Sequence, residues 1–109
     1  MVRCDQESDE GKNPPALSVT DISALARAVL EGSCSLIPTD HFKKRSRERD
    51  FSVQDALEVF HTGTVSSAPI WNDKTKSWNY DIAGIDLNGD ELTVRVAPSK
   101  QGLVLVTAF

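Results

Sequence analysis

From Ser18 onward, apolar residues recur at Ile22, Leu25, Ala26, Val29 and Leu30, a spacing that lines one face of a helix. The preceding SVTD has the form of a helix-capping pattern, and Gly32 is a natural stop. A short apolar link, SCSLIP, follows. Thr39 or Asp40 can then cap a second helix, HFKKRSRERD, whose only apolar residue is Phe42. A third helix is expected from Ser52, with Asp55 three residues on, Phe51 as a hydrophobic staple, and Val53, Ala56, Leu57 and Phe60 on its apolar face. Gly63 closes it.

Beyond Gly63 the period changes from helical to alternating. Thr64 to Ile70 is rich in β-formers, and NDKTKS reads as a turn. SWNYDIAGIDL and DELTVRVA flank Asn88-Gly89, a strong hairpin signal. A two-residue turn there sets Leu87 against Asp90, Ile85 against Leu92 and Ala83 against Val94 as a buried face, with Trp78, Tyr80, Ile82, Thr93 and Arg95 on the other. After a turn over Pro98 to Gly102, LVLVTAF is apolar enough for a central strand. Helices before strands give an α+β expectation: two to three N-terminal helices on a four-stranded antiparallel sheet, as one domain over residues 17–109. Residues 1–16, polar and ending in Pro-Pro-Ala, read as a flexible leader.

Size and composition narrow the classes. A chain of 109 residues, 39% hydrophobic and 26% charged, is one small globular domain. No segment approaches the roughly 20 apolar residues of a membrane span, and no signal-peptide core is present, so the cytoplasm is the expected compartment. Cys4 and Cys34 have neither disulfide nor zinc spacing. No P-loop, GxGxxG, GxSxG or metal-ligand spacing occurs, so neither metal nor cofactor is expected.

Charge changes the picture most. Five Lys or Arg less Glu48 leave +4 over His41 to Arg49, so with a net charge of −4 the other residues together carry −8. Such polarity sustains a local positive potential on an acidic protein. On a helix His41, Arg45 and Arg49 form one stripe, joined by Glu48. That set suits phosphodiester chemistry, with Arg45 and Arg49 holding phosphate and His41 and Glu48 exchanging protons. It equally suits a solvated face in which Glu48 pairs with Arg45 or Lys44. Arg95, between Val94 and Val96, is either an ordinary strand residue stacked on an aromatic or a further phosphate contact, with Tyr80 or Trp78 as a base platform. His61 is expected to serve the dipole at the end of the third helix.

The order of elements together with H-F-x-x-R-x-x-E-R-D-F-S-x-x-D-x-x-x-x-x-x-x-G, His41 to Gly63, resembles a bacterial family, domain of unknown function 4258. The resemblance covers about residues 38 to 109 and includes the ending LVLVTAF. That family is in turn similar to small ribonuclease folds of the barnase-like and RelE/ParE-like toxin kind. The resemblance implies metal-independent RNA cleavage beside the sheet, with His41, Arg45, Glu48 and Arg49 on matching positions and an antitoxin as a partner. A non-catalytic module docking an acidic protein or another anionic ligand is the alternative.

Overall fold

The computed structural model describes residues 17–109, and the leader expected for residues 1–16, Cys4 included, lies outside them. The fold is α+β. Helices α1 (Val19–Leu30), α2 (Asp40–Arg49) and α3 (Val53–Thr62) pack on one face of a sheet built from β1 (Ser35–Pro38), β2 (Thr64–Val65), β3 (Ile70–Asn72), β4 (Ser77–Ile85), β5 (Glu91–Pro98) and β6 (Gly102–Ala108). The strand order is β1-β6-β5-β4-β2, with β3 also on β4.

The helices begin where their caps lie. Ser18 accepts from the Asp21 N–H and donates its own N–H to the Asp21 carboxylate, a reciprocal capping box. Ser52 and Asp55 repeat the device at α3. The stripes Ile22, Leu25, Ala26 and Val29 of α1 and Ala56, Val59 and Phe60 of α3 meet Tyr80, Ile82, Val94, Val96, Leu103 and Leu105 in one core. Each large side chain so buried contributes about 1.5–3 kcal/mol.

Two expectations about the sheet are corrected. It is mixed and six-stranded rather than four-stranded and antiparallel, because SLIP within the expected link is a strand running parallel to β6, Ser35 against Gly102 and Pro38 against Leu105. As expected, LVLVTAF lies inside the sheet, between β1 and β5. The stretch rich in β-formers after Gly63 holds two short strands, β2 and β3, which follow the same edge of β4.

The second correction is the hairpin register. The loop has three residues: the Asp86 N–H donates to the Asp90 carbonyl at 2.8 Å, and the Asp86 carboxylate accepts from the N–H groups of Asn88 and Asp90, each at 2.9 Å. Gly89 takes the left-handed conformation, φ 83°, that closes such a loop. Ile85 therefore pairs with Glu91, Ala83 with Thr93 and Ile82 with Val94, one residue away from a two-residue turn. A one-residue slip exchanges the faces of a strand. Tyr80 and Ile82 go inside, while Ala83, Ile85, Thr93 and Arg95 occupy the face away from the helices.

Two motif residues lock helices to sheet. A Cβ on Gly63 would stand 2.7 Å from the Val59 carbonyl oxygen and closer still to that of Ala83, so only glycine admits this approach of α3 to β4. Asp55, 6% exposed, gives one carboxylate oxygen to the Ser52 N–H at 2.9 Å and the other to the Leu87 N–H at 3.1 Å. Replacing Asp55 with Ala removes a cap and strands a hairpin N–H. We expect Asp55→Ala to lose about 2–3 kcal/mol in chemical denaturation, and a loss below about 0.5 kcal/mol would show the bridge to be dispensable.

Candidate functional site

α2 is seated by its ends. Between Arg95 and Val96 the β5–β6 register shifts, leaving Val106 as an extra residue on β6. The carbonyls of Leu105 and Val106 then accept from Thr39, backbone N–H at 3.0 Å and hydroxyl at 2.9 Å, while the same hydroxyl accepts from the Phe42 N–H at 3.1 Å. The bulge is thus the seat of the helix N-cap. At the other end Asp50 turns left-handed, φ 58°, and Phe51 folds back so that its ring stands 5.4 Å from that of Phe42.

Phe42 is the buried residue of this helix, and Arg45 and Ser46 flank it half-buried. His41, Lys43, Lys44, Arg47, Glu48 and Arg49 are exposed. Among the described residues the ion pairs are Lys76–Asp73 and Arg95–Asp81. Glu48 therefore pairs with neither Arg45 nor Lys44, and all five cations of α2 stand without a carboxylate partner. Arg45 goes further: its Nε is buried and has no hydrogen-bond partner. With its Nε buried and the residue as a whole half-exposed, Arg45 is held closer to the protein than the other cations of the helix.

The other two expected contact residues do not join this stripe. Tyr80 is 1% exposed, in the core, where its hydroxyl accepts the Leu17 N–H at 2.6 Å and donates to the Leu17 carbonyl at 3.1 Å. It cannot be a base platform. Arg95 lies on the opposite face of the sheet, its Nε and Nη2 donating to the two carboxylate oxygens of Asp81 at 2.8 and 3.1 Å. These bonds hold Arg95 more firmly protonated than a free guanidinium, against the opposing effect of burial. The guanidinium carbon also stands 5.4 Å from the centre of the Phe109 ring. Arg95 thus positions an aromatic ring, with Asp81 positioning Arg95. His61 lies in the last turn of α3, as expected.

A cleft of about 330 Å³ opens beside the C-terminal end of α2. Arg49, Asp50 and Phe51 form one wall. The β4–β5 loop supplies the other through Asp86, Asn88, Asp90 and Glu91, and Leu92 and Phe109 complete the lining. Phe109 and the loop carboxylates escaped the sequence reading, since nothing local shows that the hairpin tip returns to α2. Asp81 and Asn79 carried a legible signal: in WNYDI the polar residues alternate with Trp78, Tyr80 and Ile82. Both are buried on the helix-free face, and the Asn79 Oδ1 has no partner.

Tyr80 gives a test of this placement. Burial pushes its phenol above the ordinary value of 10.0, the Leu17 N–H opposes the shift, and the Asp21 carboxylate adds to it. A folded pKa above the unfolded one means that the stabilisation is complete below the unfolded value and is lost as pH rises through the folded value. We expect absorbance titration of this single tyrosine to show ionisation above that of the urea-unfolded chain. Coincident titrations would contradict the buried position.

No helix among the described residues is long and apolar enough to cross a membrane. No curated protein and no solved structure matches the chain. Residues 39–109, which contain α2, the cleft and every strand except β1, match the family described as Domain of unknown function (DUF4258), and the chain belongs to that family.

Proposed function

We propose that this protein binds single-stranded RNA, with α2 as its phosphate-contacting face. The observation that carries the reading is the set of five cations on one ten-residue helix without a carboxylate partner among the described residues, in a chain of net charge −4. A solvated helix face in an acidic protein would gain from intrahelical pairing, and Glu48 makes none. Residues 41, 45 and 49 recur about every 6 Å along the helix axis, a step comparable with that between successive phosphates of a nucleic-acid strand. Arg45, with its Nε buried, supplies the directional contact; the lysines add a diffuse field. The measurement is fluorescence anisotropy of a labelled single-stranded RNA over a salt series. The logarithmic salt slope is expected near −0.7 per phosphate contact, and Arg45→Ala with Arg49→Ala should make it shallower by roughly 1.4. A folded protein that binds an acidic polypeptide and no RNA would assign α2 to a protein partner instead.

Cleavage is the second reading, supported by His41 standing one helical turn from Arg45 and by the likeness that the chain's family bears to small metal-independent ribonucleases. In such a reaction the 2′-hydroxyl loses a proton and attacks the adjacent phosphorus, the bond to the 5′-oxygen breaks, and that oxygen takes up a proton. His41 and Glu48 are about 10 Å apart along the helix axis, too far to flank one phosphodiester comfortably. His41 is therefore the proton-transfer residue at the phosphate held by Arg45, and Glu48 acts at a neighbouring position. RNA incubated with the folded protein in EDTA should yield 2′,3′-cyclic phosphate ends, and His41→Ala should reduce cleavage by about 10²-fold or more without weakening binding. Intact RNA beside undiminished binding would leave the protein a binding module.

A further inference from the structure

The cleft at the end of α2 joins features that the phosphate-contacting face does not use. Its lining includes two aromatic rings, Phe51 and Phe109, each held from outside the cleft. Phe51 leans on Phe42 at 5.4 Å, and Phe109 lies under the Arg95 guanidinium, itself fixed by Asp81. Phe109 is nonetheless 48% exposed, so its ring remains available for contact. Arg49 belongs both to the basic helix and to the cleft wall. Opposite it are the Asn88 amide and the carboxylates of Asp90 and Glu91, whereas one oxygen of Asp86 is committed to closing the loop.

These groups divide a nucleotide into its parts. Carboxylates repel a phosphate, and Asp50 stands on the α2 wall as Asp90 and Glu91 do on the other, so the backbone stays outside the cleft on the Arg49 end of α2. A base turned away from that backbone meets aromatic surface, on which any base can stack. Its edge then meets acceptors. A carboxylate takes hydrogen bonds from exocyclic amino groups, as it does from the cytosine N4 amine. Adenine, cytosine and guanine carry such an amine and uracil does not. The volume of about 330 Å³ falls at the small end of ligand sites and accommodates one base. A cationic side chain of a protein partner would also suit the carboxylates, but it would have to enter beside Arg49.

We propose that this cleft is a base-reading pocket that favours amino-bearing bases over uracil, with Phe109 as stacking surface and Asp90 and Glu91 as acceptors. The inference rests on α2 being an RNA-binding face. The test uses 2′-O-methyl oligonucleotides of equal length, which supply no attacking hydroxyl: oligo(A), oligo(C), oligo(U) and an abasic strand. Binding to the full chain is followed by anisotropy at several salt concentrations. Oligo(A) and oligo(C) should bind about tenfold more tightly than oligo(U). The abasic strand should be weakest. Asp90→Asn with Glu91→Gln should bring the preference over oligo(U) to within about twofold, and Phe109→Ala should lower every base-bearing strand toward the abasic one. Equal, salt-dependent binding of all four strands by the wild-type protein would overturn the pocket and leave the α2 reading standing. A preference for oligo(U) would overturn the amino selectivity. Failure of every strand to bind would overturn both, and binding of a lysine-rich peptide in their place would identify a protein-docking cleft.

Discussion

The hairpin loop closed by Asp86 is the constraint on which the arrangement of this molecule depends. A carboxylate that accepts two loop N–H groups selects three residues over two, and that single residue sets the parity of β4 against β5. Parity then decides that Tyr80 and Ile82 fill the core and that Arg95 meets the buried Asp81 on the helix-free face. Asp55 makes the choice tertiary, because the carboxylate that caps α3 also holds the Leu87 N–H. Moving the loop by one residue would withdraw that donor, expose Tyr80 and break the Arg95–Asp81 pair together.

The helices were legible because their signals are local. Ser18 with Asp21 and Ser52 with Asp55 are reciprocal pairs three residues apart, and the apolar stripes of α1 and α3 follow the helical period. β1 was not legible. Four residues ending in proline carry no alternation, and they are a strand only because Leu103 to Leu105 lie alongside them. The hairpin was legible as a hairpin, whereas its register hung on whether Asp86 acts as the last strand residue or as the cap of the turn. The polar Asn79 and Asp81, set between Trp78, Tyr80 and Ile82, favour the observed parity. Of the candidate residues, the α2 stripe was readable from spacing and Arg95 falls on the less apolar face as expected, but Tyr80 inherited the register error and lies on the other face. The cleft lining comes from three separate parts of the chain, so no local pattern announces it.

α2 itself is costly by ordinary criteria. It buries one large side chain, carries five cations that form no ion pair among the described residues, and leaves the Arg45 Nε buried without a partner. What holds it is borrowed from elsewhere: the β6 bulge beneath Thr39, the Phe51 ring against Phe42, and the left-handed Asp50. A fold that builds three devices to retain a helix contributing little to its core is consistent with a helix retained for what it contacts outside. The motif His41 to Gly63 accordingly mixes two kinds of residue. Phe42, Phe51, Ser52, Asp55 and Gly63 secure geometry, while His41, Glu48 and Arg49 are exposed and Arg45 is half-buried between the two groups.

The place of β6 also constrains the order in which this protein can assemble. Thr39 is bound to a carbonyl 67 residues later in the chain, and β6 lies between β1 and β5. The seat of α2 therefore does not exist until β6 has been inserted between β1 and β5. Pairings between such distant segments demand closure of a long loop before they are rewarded, which slows folding. During that interval β5 and β1 present unpaired backbone toward the missing strand, and the period before β6 docks is when this chain is most exposed to mispairing with another copy of itself.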